Sequence, residues 1–235
     1  MKRFYKEVSV RAADGRWLVL LDGKPIKTPK RADLALPTGP FAEAVAEEWR
    51  TQGDDVKPAT MPLTKLANTA IDRVFGREFE VVEKALAYAN DHLCYRASGP
   101  AELVALQEAA WNPLLEWAAA RFGARLAVGT GVAHIAQPDE AVAALRAAVT
   151  AYDPFVLVGL YHAATILSSL VLALALAEGR LEADEAFAAS QVDERYQAEC
   201  WGEDHEAAAR AHTLAGELAA AARFMVLARG SVATR

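Results

Sequence analysis

Cysteine is scarce. Two residues, Cys94 and Cys200, in a chain of 235 make no disulfide framework and fit a reducing compartment where both remain free thiols. Positive charge is in deficit too. Lys and Arg number 25 against 31 Asp and Glu, for a formal net charge of −6, whereas nucleic-acid binders usually carry a basic excess. The opening MKRFYKEVSV lacks an apolar core, so a secretory signal is not expected. It passes almost directly into a strand pattern, leaving no room for a transit peptide. Phosphate cradles are missing: Gly129-Thr130-Gly131 is followed by valine, with neither a Walker lysine nor a GxGxxG pattern. CxxC, HExxH and GxSxG are absent as well. What remains is a globular composition, 53% hydrophobic and 24% charged, long enough to bury a real core.

One stretch lacks charge altogether. From Phe155 to Ala177 there is no Asp, Glu, Lys or Arg. That length would reach across a bilayer, which takes roughly 20 apolar residues. Its Gly159, His162, Thr165, Ser168 and Ser169 favour a central helix buried on all sides. Asp153-Pro154 ahead of it supplies an N-cap and a first-turn proline.

The pattern along the chain predicts an α+β fold: a small β-meander/α domain over 1–78 and a larger all-α domain over 79–235. The first forty residues alternate as strands, punctuated by Asp14-Gly15 and Asp22-Gly23, the dipeptides of tight hairpins. Three strands are expected, with a fourth at Ala32–Pro37. Phe41, Val45 and Trp49 then recur at helical spacing, and Leu63, Leu66, Ala67 and Ala70 share a helical side. Beyond residue 79 the pattern is helical almost throughout. Pro113 should kink or divide the helix over 100–123. Residues 154–178 and 182–201 each read as one helix. Residues 124–137 are the exception, β-like with glycines.

Charge is uneven. Residues 1–31 carry nine Lys/Arg against three Asp/Glu, and residues 182–210 carry nine Asp/Glu against two Arg. Solvated faces, or ends that face each other, account for this; an acidic docking surface does so too. Acidic pairs such as Glu47-Glu48 and Asp54-Asp55 sit in contexts typical of solvation.

The segment QAECWGEDHEA, Gln197–Ala207, places a thiol, an indole, a histidine and four carboxylates together. Zinc needs three or four converging ligands. Cys200 precedes His205 by five residues, roughly 140° round a helix, while His205 and His212 share a face. A metal site is therefore not expected. Cys94 has His92 two residues away, no productive pair by itself, and reads as a buried structural thiol.

Several strings in fixed order carry a family likeness: FYKEVSV, VLLDGKPIKTP, LALPT, AEEWRTQGDDVKPATMPLTKLANTAID, LCYRA, WNPLLEWA, SSLVLALAL and QAECWGED. Their succession resembles the assembly chaperones of the mitochondrial-type ATP synthase and their α-proteobacterial relatives, over about residues 4 to 210. The resemblance implies a protein without catalysis or cofactor. It would bind the unassembled α subunit of the catalytic head and prevent its aggregation until the β subunit takes its place. The Ala- and Arg-rich composition suits a bacterial protein, so a cytoplasmic factor is expected, a monomer, with no nucleic acid partner on its acidic balance and no stable membrane insertion. An enzyme of unrecognised class, with a small-molecule site between the two domains, is the alternative.

The residues that match the family's densest block include Trp49, Gly53, Thr60, Met61, Pro62, Leu63, Asn68 and Asp72. Partner contact is one reading of them. The other is structural: Met61-Pro62-Leu63 as a turn into a helix, and Asp72 as a cap or ion pair. A later match comprises Glu199, Trp201, Gly202, Glu203 and Asp204, with Glu206 beside it. The family is reported to need an acid near here, and Glu203, Asp204 and Glu206 all remain counterparts. This patch either meets the partner or ends a helix and packs.

Overall fold

The computed structural model describes residues 1–202 and 204–230. The chain forms two compact units. The first comprises Met1–Glu78, Asp153–Gly159 and the chain from Ala220; the second comprises Phe79–Tyr152 and Leu160–Ala219.

In the first unit, β1 (Val8–Ala13) and β2 (Arg16–Leu21) pair antiparallel from Val8–Leu21 to Ala13–Arg16. Asp14 and Gly15 turn the hairpin with φ of 49° and 73°. Asp22 and Gly23 repeat the device at 47° and 77°, leading into β3 (Lys24–Pro25). Such turns twist with their strands, and glycine meets no steric cost there. The fourth strand, β4 (Ala35–Leu36), pairs with β2 at Trp17 and Leu18.

Helix α1 (Gly39–Arg50) opens at Thr38, whose hydroxyl accepts from the Phe41 amide at 3.2 Å and donates to the Leu227 carbonyl at 2.7 Å. Its buried stripe is Phe41, Ala42, Val45 and Ala46. A 3₁₀ turn at Pro58–Thr60 precedes α2 (Pro62–Thr69), which continues as a π turn through Ala70–Val74. The returning segments bring Phe155 and Phe224 edge-on to Phe41, at centroid distances of 5.9 and 4.9 Å; all three are fully buried.

The second unit is built from helices: α3 (Glu78–Leu86), α4 (Ala101–Phe122), α5 (Asp139–Thr150), α6 (Pro154–Leu167), α7 (Leu170–Ala177), α8 (Ala183–Ser190), α9 (Val192–Trp201) and α10 (His205–Arg229). Parts of α6 and α10, and the first residue of α3, belong to the first unit. Two short strands, β5 (Tyr95–Arg96) and β6 (Gly129–Thr130), pair in parallel. Pro113 does not divide α4, which runs 22 residues to a left-handed Gly123. Trp111 of α4 is buried and its indole N–H donates to the Ala189 carbonyl at 2.7 Å.

Two expected helices are broken. The apolar run parts at Ser168, which has φ of 51°, and Ser169 caps α7 by accepting from the Leu172 amide. The cause lies about eighty residues earlier. Asp91, wholly buried, accepts from Ser169 Oγ at 2.9 Å and the Val171 amide at 2.8 Å, anchoring the new helix start. Every residue of α7 is buried. The pieces have 14 and 8 residues, and no described helix is long and apolar enough to cross a membrane. The expected 182–201 helix parts at Gln191, where the preceding Ser190 turns its hydroxyl back to the Phe187 carbonyl.

Candidate functional site

Four of the singled-out residues border one open cavity of about 490 Å³ in the first unit: Trp49, Met61, Asn68 and Asp72. Trp49 comes from the last turn of α1, Met61 from the position just before α2, Asn68 from α2 and Asp72 from its π extension. Met61, Val56 and Pro58 supply apolar wall. Tyr5 braces the indole from behind, edge-on at 5.6 Å, and its hydroxyl donates to the Trp49 carbonyl at 2.7 Å.

The polar groups at this cavity differ in how far they are occupied. Asp72 accepts from Thr28 Oγ1 at 2.6 Å and from the Lys30 amide at 3.0 Å, while Lys30 Nζ donates to the Asp72 carbonyl at 2.8 Å. Asp72 thus ties the 28–30 loop to the end of α2. Trp49 Nε1 and Asn68 Oδ1 are shut from solvent and have no hydrogen-bond partner among the described residues. Buried polar atoms are paired in the great majority of cases, so two orphans at one cavity are unusual.

The rest of the block is scaffold. Thr60 accepts from Gln52 Nε2 and donates to the Lys57 carbonyl, closing its loop. Pro62 begins α2, and Leu63 is buried core. Gly53 lies in the loop after α1, where an added Cβ would meet nothing within 4 Å.

One reading is corrected here. Glu47 and Glu48 are not alike. Glu47 is exposed beside Arg50, whereas the Glu48 carboxylate accepts from the Leu63 amide, the Thr64 amide and the Thr64 hydroxyl at 2.8, 2.8 and 2.7 Å. Burial raises the Glu48 carboxyl above its ordinary value, opposed by these bonds to Thr64 and Leu63. A clue was present in sequence: Met61 stands where α2 needs a cap and has no side-chain acceptor to offer, so another residue must supply one.

The acidic match lies in the second unit. Helix α9 ends at Gly202, with φ of 95°, and Asp204 starts α10 by accepting from the Glu206 amide at 2.9 Å. Glu206 is in the exposed first turn, Glu199 is exposed on α9, and Trp201 stands 78% exposed. Glu203 lies outside the described residues. Asp204 also lines a groove of about 450 Å³ between α8, α9 and α10. Ala188, Ala198, Ala208, Ala211 and Ala215 line it, with Asp184, Glu194 and Arg195 as charged neighbours. A second groove, about 530 Å³, takes Glu199 and Tyr196 from α9 and Leu106 and Pro113 from α4. Asp204 thus caps the start of α10, and the same turn carries an unburied indole. The exposed Cys200 and the His at the start of α10 join no cluster: no three His, Cys, Asp or Glu among the described residues converge as metal ligands.

Known proteins agree with this architecture. The profile of the ATP12 chaperone protein family matches residues 2–119, which includes the whole Trp49–Asp72 block. The chain belongs to the ATP12 chaperone family, the ATP synthase assembly chaperones. The chaperone superimposes on the crystal structure of Atp12 from Paracoccus denitrificans with a TM-score of 0.93, at 40% identity, covering 97% of this chain and 98% of that one. A variant of the Paracoccus protein, with an aspartate replaced by lysine, matches at 39% identity over the same shares, with a TM-score of 0.94. Among curated proteins, the mitochondrial atp12 of Schizosaccharomyces pombe is 25% identical over 214 residues, 86% of this chain and 74% of its own length.

Proposed function

We propose that this chaperone binds the unassembled α subunit of the ATP synthase catalytic head and keeps it from aggregating until the β subunit takes its place. A subunit that will alternate with another in a ring carries an apolar interface exposed beforehand, and such a surface aggregates. A protein that covers it and is later displaced needs an interface of moderate size with a polar rim. The observation that carries this reading is the turn after α9. Trp201 is exposed there, Glu199 and Asp204 flank it, and the alanine-lined groove runs alongside. Large exposed aromatics ringed by polar groups are typical anchors of protein interfaces. Two free thiols and 40% identity to a bacterial protein support a bacterial cytoplasm as the setting.

The test is capture of purified α subunit, with light scattering to follow its aggregation. Wild type should retain α, suppress scattering, and release α when β is added. Glu199→Lys combined with Asp204→Asn should weaken capture with little change in melting temperature, because asparagine caps a helix about as well as aspartate. Failure of wild type to retain α above background would end the proposal.

A further inference from the structure

We propose that the groove between α4 and α9 takes an amphipathic helix of the client, laid with its N-terminus toward Glu199 and donating one side-chain hydrogen bond to the Ala109 carbonyl. The inference rests on the reading of this chain as a client-binding chaperone and names the form of the client segment.

The starting point is Pro113. It lies inside α4, which runs through it unbroken. Proline in a helix interior has no N–H and is among the most unfavourable residues there. Here it ends nothing. It leaves the Ala109 carbonyl, four residues earlier, without its helical donor. Ala109 and Pro113 are both exposed, and both line the open groove of about 530 Å³. An acceptor without its donor therefore stands on an exposed wall of that groove.

The walls are helical ridges. Leu106, Ala110 and Pro113 recur at three- and four-residue spacing along α4, and Val192, Tyr196 and Glu199 do so along α9. Leu106 is 47% exposed. Leu114 and Leu181 add to a mainly apolar lining. Two such ridges have the shape that seats a third helix. An extended segment would not suit the chemistry. It would bring an unpaired N–H and C=O at each residue into an apolar groove that returns few partners. A helix closes its own backbone bonds and needs only its apolar stripe covered. The Ala109 carbonyl then needs a single donor, which a serine, threonine or asparagine on that stripe supplies.

Charge fixes the direction. Gln107 Nε2 donates to Asp193 at 2.6 Å and Trp111 Nε1 to the Ala189 carbonyl at 2.7 Å, so α4 runs antiparallel to α8 and α9 along the groove. Arg180 thus stands toward the Pro113 end and Glu199 toward the Leu106 end, with Arg195 between them. Glu185, the other acid of the lining, already accepts from the Glu182 amide. One end is left positive and the other negative. A helix carries partial positive charge at its N-terminus and partial negative charge at its C-terminus. Its N-terminus therefore faces Glu199 and its C-terminus Arg180.

The experiment uses the full chain labelled with ¹⁵N and the blocked peptide acetyl-Gln-Leu-Ala-Gln-Leu-Leu-Gln-Ala-Leu-Gln-Gln-Leu-amide, held helical by a hydrocarbon staple on its polar face. The amides of Leu106, Ala110 and Val192 should shift saturably. A nitroxide on the peptide's N-terminus should broaden amides around Glu199, and one on its C-terminus those around Leu181, with a preference of about tenfold for that direction at low salt. Arg180→Glu with Glu199→Arg should reverse the pattern. Serine and alanine versions are then compared at each apolar position of the peptide. At one position serine should bind wild type about fivefold more tightly. Pro113→Ala returns an N–H to the Ala109 carbonyl. It should raise the melting temperature and erase the serine preference, while the serine-free peptide still binds.

Silent amides at Leu106, Ala110 and Val192 with millimolar peptide overturn the proposal. So do equal populations of the two directions, and a serine preference that is absent from wild type or kept by Pro113→Ala. The α-subunit capture assay separates this groove from the choice of client. Capture by wild type alongside a silent groove sinks only the groove; a peptide that binds without α capture sinks only the choice of client. Where both succeed, excess peptide should displace captured α, and undisturbed capture overturns the client's use of the groove.

Discussion

Replacing Glu48 by alanine should be among the most destabilising single changes in the first unit, and replacing Glu47 should cost almost nothing. The reasoning is an account of the first turn of α2. A helix start leaves amide groups without intrahelical partners. Here Pro62 has no N–H, the Lys65 amide already bonds to the Met61 carbonyl at 3.0 Å, and the Met61 amide bonds to Pro58. Only the Leu63 and Thr64 amides are left, and Glu48 takes both, together with the Thr64 hydroxyl. Leu63 and Thr64 are 2% and 6% exposed, so water cannot substitute. Stranding a buried donor costs about 1–3 kcal/mol. Three donors, less the desolvation that the carboxylate no longer incurs, come to about 3–5 kcal/mol for Glu48→Ala. Glu48→Gln keeps one acceptor oxygen and should cost about 1–2 kcal/mol. Glu47→Ala breaks only an exposed contact of 3.3 Å to Arg50, for under about 0.5 kcal/mol. Urea melts at pH 7 measure all three, with the m-value checked for constancy. Equal midpoints for the Glu47 and Glu48 alanine variants would refute the capping argument.

Other regions make independent predictions. Gly159→Ala should cost about 1–3 kcal/mol, because its Cβ would stand 2.4 Å from Met225 Cγ and 3.3 Å from the Ala221 carbonyl; Met225→Ala in the same chain should recover part of the loss, and a neutral Gly159→Ala melt would contradict the packing. Asp91, pushed up to about 6 by burial, should titrate near pH 6 when its carboxyl carbon is followed by NMR, and a midpoint at or below 4 would be the contrary result. The sign follows: the folded chain holds that proton above the ordinary value of 3.8, so the Asp91 contribution to stability is full below pH 3.8 and is lost as pH rises toward 6. Cys200 is exposed and should react promptly with a thiol reagent. Cys94, buried and pushed up to about 12 by that burial, should react only on unfolding, and two fast thiols would be inconsistent with the fold.

How legible each feature was depended on how local its cause is. Both Asp-Gly turns were readable because left-handed dihedrals at two successive residues are a property of those residues. The stripe of Phe41 and Val45 was readable for the same kind of reason, since 3.6-residue periodicity is written along the chain. The break at Ser168 was not. The apolar run contains no proline there, and what stops the helix is Asp91, seventy-eight residues before Ser169. Glu47 and Glu48 are chemically identical, and only the direction each faces on α1 separates a solvated acid from a cap.

The candidate site divides along the same line. Family strings singled out Trp49, Met61, Asn68 and Asp72, but Thr60, Pro62 and Leu63 looked equally eligible. That the first four share a cavity follows from how α1, α2 and the 28–30 loop meet. Lys30, Lys65 and Arg73 went unnoticed because an exposed cation has no signature in a sequence until its neighbours are placed. By itself, then, the sequence determined the class of fold, the turns, the helical stripes and the family, all of which are local patterns or their order. The tertiary structure alone decided which carboxylates cap helices, where the apolar run breaks, and which polar atoms are buried without partners. Those are consequences of burial and of contacts between residues far apart in the chain, where pairing sets the free energy and spacing carries no record of it.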